Sequence, residues 1–218
     1  VKYKLMLNFH GATIPRGWQR TYPHMMSVEG VYGAEWYNNT PVLTNRAAEH
    51  NATLPFTRNV VGPMDYTPGT FSDSQHPHIT SYGHELALPI IFESALQHMP
   101  DRPSVYYDMP EPVKKLLSDL PVAWDDTKLL TGYPGMEVVM ARRKGDVWYI
   151  AGINGTNEPR TLRAPLAAIP VSGKQVSLFK DGTDDRSFAI EENIPLSDEE
   201  TGLEIKCLPR GGFVAVIR

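Results

Sequence analysis

Residues 136–154 read M-E-V-V-M-A-R-R-K-G-D-V-W-Y-I-A-G-I-N. Apolar and β-branched residues alternate on both sides of the break, which predicts strands over Met136–Arg143 and Asp146–Asn154 joined at Lys144-Gly145. Further strands are expected at Thr161–Leu166, Gln175–Lys180, Leu203–Leu208 and Phe213–Arg218, with Gly, Pro and Asp turns between them. Strands following one another without helices read as an antiparallel β domain, a sandwich, over 122–218. Cys207 falls in the alternation of Leu203, Ile205 and Cys207, so its thiol is expected to face a core. A single cysteine excludes an internal disulfide.

Upstream of Pro121 the pattern changes. Val1–His10 predicts a buried parallel strand that ends at Gly11. Residues 11–48 show no clear periodicity, and Trp18, Tyr22, Tyr32 and Trp36 are expected to bury area there and hold the segment in shape. A short helix is expected over His50–Val61, capped by Asn51 or Thr53, with Pro55 in its first turn. Gly62–Gly69 reads as a short strand closed by a turn and 70–80 as a loop. Ser81–His98 reads as a helix kinked at Pro89, and Pro112–Leu120 as another. Strand, loop and helix in repetition are the grammar of βα units, so the fold class is α/β plus all-β. A strand at the first residue needs neighbours that this half hardly supplies. The chain therefore reads as the C-terminal part of something longer, with any secretion signal upstream.

The totals set bounds. The chain is 218 residues, 41% hydrophobic and 21% charged, the make-up of a soluble globular protein with room for a core. A net charge of −4 gives no electrostatic case for nucleic acid or an anionic membrane. No apolar run approaches the roughly 18–20 residues of a membrane span.

Chemistry concentrates in S-V-E-G-V-Y-G-A-E-W-Y, residues 27–37. Glu29 and Glu35 lie six residues apart, and Gly30 and Gly33 make the segment a shaped loop rather than a regular helix. Tyr32, Trp36 and Tyr37 are expected to strip water from these carboxylates, which raises a carboxyl pKa and suits it to donating a proton. The competing reading is a pair of solvated surface glutamates. Loops at the C-terminal ends of parallel strands carry the catalytic groups of α/β barrels, and this loop holds such a place.

His10 ends the first strand, as a substrate contact or a support for one. Asp65, in P-M-D-Y-T-P, is either a ligand-binding carboxylate or a turn-stabilising residue. Arg20 pairs with a site carboxylate, binds a substrate hydroxyl, or makes a surface ion pair of little value. His76, His78 and His84 have a spacing that can bind zinc but lack an acidic partner, so a helix-entry loop is expected. The sequons at Asn38, Asn51 and Asn154 matter only in a eukaryotic secretory setting. No P-loop, dinucleotide fingerprint, G-x-S-x-G or paired C-x-x-C motif is present.

Three motifs in order, N-F-H-G-A-T-I-P-R-G-W-Q-R-T-Y-P, E-G-V-Y-G-A-E-W-Y and L-P-F-T-R-N-V-V-G-P-M-D-Y-T-P-G, resemble glycoside hydrolase family 97. Its members are α-glucosidases and α-galactosidases. The resemblance implies that residues 1–121 hold the last strands and helices of a (β/α)8 catalytic barrel, and that 122–218 form a C-terminal β-sandwich domain. It implies Glu35 as the general acid and Glu29 as a ligand of an active-site Ca²⁺, with Glu35 approaching or joining that shell. Calcium takes hard oxygen ligands. His10, Arg20 and Asp65 would then be substrate-binding residues.

One departure separates two mechanisms. Inverting members resemble N-x-H-E at the first strand end, where the Glu is the general base. This chain has Gly11 at that place. It thus resembles the retaining branch, whose nucleophile is an Asp on an earlier barrel strand, outside these residues. That pattern is associated with α-galactosides. An α-glucosidase of the same family is the second reading, and a non-catalytic carbohydrate-binding or structural module the third. The expected partners are an oligosaccharide and the upstream part of the same polypeptide. The family implies a periplasmic or secreted location.

Overall fold

The computed structural model describes residues 2–37, 39–73, 75–197 and 199–218. Val1, where the first predicted strand begins, and the sequon residue Asn38 lie outside them, as does the side chain of Tyr37.

The first half is mostly short elements: β1 (Leu7–Phe9), α1 (Trp18–Thr21), β2 (Met25–Val28), α2 (Ala34–Tyr37), α3 (Pro41–Thr44) and α4 (Ala47–Thr53). Two 3₁₀ turns, Leu54–Phe56 and Arg58–Val61, follow. Three longer or regular helices come next, α5 (Tyr82–Ile91), α6 (Pro103–Tyr107) and α7 (Glu111–Asp119). The second half is β3 (Asp126–Tyr133), β4 (Glu137–Lys144), β5 (Val147–Asn154), β6 (Arg160–Pro165), β7 (Gln175–Asp181), β8 (Phe188–Pro195), β9 (Gly202–Cys207) and β10 (Gly212–Ile217).

Six of these strands form one antiparallel sheet in the order β3-β4-β5-β10-β7-β8, and β6 pairs with β9 in a separate antiparallel ribbon. The central strand β10 is buried along its whole length, since both of its faces are covered. Val214 and Val216 point into a core shared with α5, while Phe213, Ala215 and Ile217 point into the core under the β6–β9 ribbon. Cys207 lies in the second core, as its alternation required.

Helix α5 is apolar nearly all round and buried on every side except at Tyr82. Its N-terminal end meets β10 through glycine: a Cβ on Gly83 would stand 2.3 Å from the carbonyl oxygen of Gly212. The sheet also supplies a charge to each end. The Asp181 carboxylate accepts from the Ser81 hydroxyl and from the backbone N–H groups of Leu208 and Gly212 at the helix start. At the other end Arg142 donates from Nε to the Ile90 carbonyl (2.6 Å) and from Nη2 to the Ile91 carbonyl (2.9 Å). An anion at the N-terminus and a cation at the C-terminus both complement the helix dipole. Burial presses on both: it pushes the Asp181 carboxyl up and brings the Arg142 guanidinium down to about 10.

Several expectations need correction. The first strand is three residues long, because the chain turns at Lys4 (φ 54), and Tyr3, Leu5 and Met6 are exposed. The parallel strand β2 was hidden inside the aperiodic stretch. Trp18, Tyr22, Tyr32 and Trp36 are each about half exposed rather than buried. No strand forms over 62–69 among the described residues; Pro63 and Pro68 lack the N–H that a ladder needs, Thr67 is left-handed (φ 57), and the segment meets the end of β2 through the Asp65 N–H. The helix expected from residue 50 starts earlier, and Asn51 is buried in its interior instead of capping it. Helix α5 ends at Ile91, two residues after Pro89, which frees His98 from it. Helix α6 and strands β3 and β8 had no expectation attached.

Candidate active site

Strands β1 and β2 run parallel, pairing Asn8 with Ser27 and Phe9 with Val28. Their C-terminal ends therefore open at one edge. The Glu29 N–H continues the ladder onto the Phe9 carbonyl (2.8 Å), and the Asp65 N–H donates to the Val28 carbonyl (3.2 Å). His10, Glu29 and Asp65, far apart in sequence, are set side by side by these bonds. Gly33 shapes the return of the loop: a Cβ there would stand 2.6 Å from the Tyr66 carbonyl oxygen, so a side chain would drive the loop off the Asp65 segment. Ala34 donates its N–H to that same carbonyl, which starts α2 and places Glu35 on its first turn.

Arg58 fixes the loop from behind. Its buried guanidinium donates to the carbonyls of Val28, Glu29, Gly30, Gly62 and Pro63. Nε reaches Gly30, Nη1 reaches Gly62, and the two N–H groups of Nη2 are shared among Val28, Glu29 and Pro63, so every nitrogen of the planar fork is engaged.

Asp65 is the anchor, with a fully buried side chain. Its Oδ2 lies 2.7 Å from His10 Nε2 and 2.7 Å from His98 Nδ1, and it accepts from Asn8 Nδ2. Burial alone would raise its pKa, but the hydrogen bonds from His10, His98 and Asn8 hold the carboxyl below the usual aspartate range. The other ring nitrogen of His10, Nδ1, faces Glu35 at 3.2 Å and Glu29 at 3.6 Å. Burial draws His10 down, yet Asp65, Glu29 and Glu35 together lift it above its ordinary value. Glu29 is buried and accepts the Gly11 N–H. Glu35 is half exposed (49%), so Tyr32 and Trp36 do not strip it of water as expected; these rings pair edge to face with each other at 5.7 Å.

The structure thus brings together four sequence-predicted residues: His10, Glu29, Glu35 and Asp65. Arg20 does not join them; it lies exposed on α1 and makes no ion pair among the described residues. Asn8, His98 and Arg58 were missed. Asn8 had a signal, since it stands two residues before His10 and shares its strand face. His98 and Arg58 had none.

The ligand atoms of His10, Glu29 and Glu35 lie within 4.8 Å of one another, as do those of His10, Asp65 and His98. The first set offers carboxylate oxygens from Glu29 and Glu35 of one loop, the donor chemistry of a hard cation, beside a ring nitrogen of His10. His76, His78 and His84 form no such group among the described residues. His84 is fully buried, with Nε2 3.0 Å from Asn51 Nδ2, and burial depresses it to about 3. The sequon residues Asn51 and Asn154 are fully buried too.

On the other side of the parallel pair, Leu7, Phe9, Trp18, Tyr22, Met25 and Val28 line an open apolar cavity of about 470 Å³. With Tyr3, Leu5 and Met6 nearby in sequence, it leaves this end of the molecule unusually apolar.

Comparison with known proteins gives the arrangement its class. A family model described as "Glycosyl-hydrolase 97 C-terminal, oligomerisation" matches residues 123–218, and one described as "Glycoside hydrolase 97" matches residues 1–31. The chain is 40% identical over 98% of its length to a probable retaining alpha-galactosidase of Streptomyces bingchenggensis. It is 33% identical over its whole length to a retaining alpha-galactosidase of Bacteroides thetaiotaomicron. It covers 32% and 34% of those proteins, so it spans about a third of the curated relatives it matches.

Among solved structures, a beta-arabinopyranosidase superposes at a TM-score of 0.87 with 29% identity, over 99% of this chain and 35% of that one. A family 97 enzyme from Pseudoalteromonas sp. strain K8, in complex with acarbose, does so at 0.87 and 29%, over 100% and 35%. The chain is a piece of the glycoside hydrolase class. Within that class it belongs to glycoside hydrolase family 97, in the C-terminal portion.

Proposed function

We propose that this chain carries the acid/base end of a retaining α-galactoside hydrolase. The observation that carries the reading is the convergence of Glu35 and Glu29 on His10 at a parallel strand end where Gly11 stands in place of a carboxylate. Gly11 sits at φ +62 with open space around its Cα, so no side chain of this segment supplies a base there. Glu35 is half exposed and free to face a substrate. It protonates the glycosidic oxygen as that bond breaks and then deprotonates the water that releases the sugar. The nucleophile is an Asp of an earlier barrel strand. The parallel β1–β2 pair is the part of the (β/α)8 barrel that this chain contributes, 122–218 being the β-sandwich domain. The apolar cavity behind the pair is where the upstream polypeptide packs.

His10 is held by Asp65 and orients Glu35. Its outward ring edge, with Asp65 behind it, is the substrate-binding part of the cluster, and Arg20 contributes from α1 only if upstream chain brings substrate toward it. Glu29 and Glu35 fit a Ca²⁺ ligand set by donor chemistry, two of the six to eight oxygens that calcium takes. When bound, the cation supplies positive charge beside the acid. Glu29, with one oxygen on the Gly11 N–H, is the more firmly held of the two. The family resemblance favours a periplasmic or secreted location.

The test uses the full-length protein. Glu35→Gln is expected to abolish turnover of an α-galactoside with a poor leaving group while sparing much of the first step on an activated aryl glycoside. Equal small losses on both would sink the assignment. NMR of the first-formed anomer tests retention.

An α-glucosidase is the second reading, favoured by family 97 structures in complex with panose and acarbose at 28% and 29% identity. The retaining alpha-galactosidases are more similar, at 40% and 33%. Aryl α-galactoside, α-glucoside and β-arabinopyranoside assayed side by side separate these. The 218 residues alone, lacking the nucleophile, are expected to be inactive; hydrolysis by the pure chain would refute the reading.

A further inference from the structure

A row of polar side chains lies buried beneath the site. Tyr66, next to Asp65, is fully buried, its ring 4.7 Å from that of Phe92 in the apolar core. Its hydroxyl donates to Asn51 Oδ1, and Asn51 Nδ2 lies 3.0 Å from His84 Nε2. Asn51 and His84 are as fully shut off from solvent as Tyr66. Burial keeps His84 neutral, at about 3, so its ring has one donor and one acceptor nitrogen. Nε2 accepts the Asn51 amide N–H, which turns the amide oxygen toward Tyr66.

The two ends of this row are fastened to different things. His84 stands near the start of α5, where a Cβ on Gly212 of β10 would be 2.7 Å from its Cα, and the Arg210 and Gly211 backbone lies against its ring. At the other end the Tyr66 carbonyl accepts the Ala34 N–H that starts α2 (2.9 Å) and the Thr67 hydroxyl (2.6 Å). Thr67 is left-handed (φ 57), a conformation that a β-branched residue holds only under constraint. Asp65 and the first turn of α2, with Glu35 on it, are therefore placed by how Tyr66 is held.

An apolar core would hold a phenylalanine ring at this place without polar groups beneath it, and buried polar groups are costly unless paired. What the paired row adds is precision, since a satisfied buried network fixes one arrangement more narrowly than packing does. We propose that Tyr66 is a positioning residue for Glu35, and that the β half sets the place of the acid through His84 and Asn51. This rests on Glu35 being the acid. Loss of the Tyr66 hydroxyl lets the Ala34 contact shift and carries Glu35 off line with the glycosidic oxygen, while the packed ring keeps the fold.

The experiment uses the full-length protein and aryl glycosides of the glycon that the wild type cleaves, graded by the acidity of the leaving phenol. Their kcat/KM reports the first bond cleavage, in which a good leaving group needs little protonation and a poor one needs the acid. Tyr66→Phe and His84→Leu are each expected to lower kcat/KM about tenfold on the poorest leaving group and less than about twofold on the best, which steepens the dependence on phenol acidity. His84→Gln, which keeps an acceptor for Asn51, is expected to retain the wild-type dependence. Tyr66→Phe combined with His84→Leu is expected to lose no more than either alone, because both break the same row. An unchanged dependence in Tyr66→Phe overturns the proposal, as does an equal loss on every substrate, which is what weakened folding would give. Losses that multiply in the combined variant, or a His84→Gln as steep as His84→Leu, overturn the link to the β half. Should His84→Leu not fold, Tyr66→Phe decides, since it removes only the hydroxyl. If Glu35→Gln steepens the dependence and Tyr66→Phe does not, only the positioning fails. If Glu35→Gln does not steepen it, the acid assignment itself fails.

Discussion

Two buried aspartates, Asp65 and Asp181, are exposed by only 1% and 7%, yet they are pushed in opposite directions. Asp181 is surrounded by neutral donors, the Ser81 hydroxyl and backbone N–H groups, and desolvation wins. Asp65 faces two imidazoles that can carry charge, and their hydrogen bonds outweigh the same burial. The Asp181 group closes on itself and fastens α5 to the sheet. The Asp65 group stays open, with His10 turned toward half-exposed Glu35 and one carboxylate oxygen, Oδ1, without a partner among the described residues. One carboxylate serves the fold; the other, under the proposed function, serves the site.

Substitutions should therefore rank oppositely by stability and by activity, and a shared ranking would break the comparison. Asp181→Ala orphans several buried donors and should cost about 3 kcal/mol or more in denaturant unfolding of the chain. Arg142→Met, which leaves the Ile90 and Ile91 carbonyls unmet, should cost about 2 kcal/mol by the same measurement. Asp65→Asn keeps an acceptor in place and should cost about 1 kcal/mol. In the full-length protein, however, it should lower kcat/KM about 10²-fold by letting His10 and Glu35 drift. Glu35→Gln should change stability within about 0.5 kcal/mol, since the group is half exposed, while removing turnover.

The pH dependence sharpens the same contrast. Asp65, lowered when folded, contributes stability above its ordinary value of 3.8 that is lost as pH falls below it. Asp181, raised when folded, favours the fold while protonated, and that contribution is lost as pH climbs from 3.8 toward its raised value. Subtracting the Asp65→Asn and Asp181→Asn stability profiles from wild type should give curves of opposite slope in acid. Parallel curves would mean that one environment had been misread.

Much of the β half was legible because its strands are buried on both faces or alternate strictly, as β4, β5 and β10 do. Strands β3 and β8 escaped because they are the edges of the sheet. Their residues are mostly half-buried or exposed, so no hydrophobic period marks them. Strand β2 is only four residues, too short for a period to register. In the site, Glu29, Glu35, His10 and Asp65 could be found because chemically able residues stood at turns of the chain. His98 and Arg58 could not, because what matters about them is an encounter across 33 and about 30 residues that only the fold arranges.

The contact of Gly83 with Gly212 also bears on how this family can be recombined. It couples two positions more than a hundred residues apart at a spacing that no Cβ survives. A chimera joined near residue 121 would pair an α5 from one parent with a β10 from another. Such a hybrid would fold only where both parents had kept glycine, which makes this pair a cheap genetic marker of which first and second halves are interchangeable.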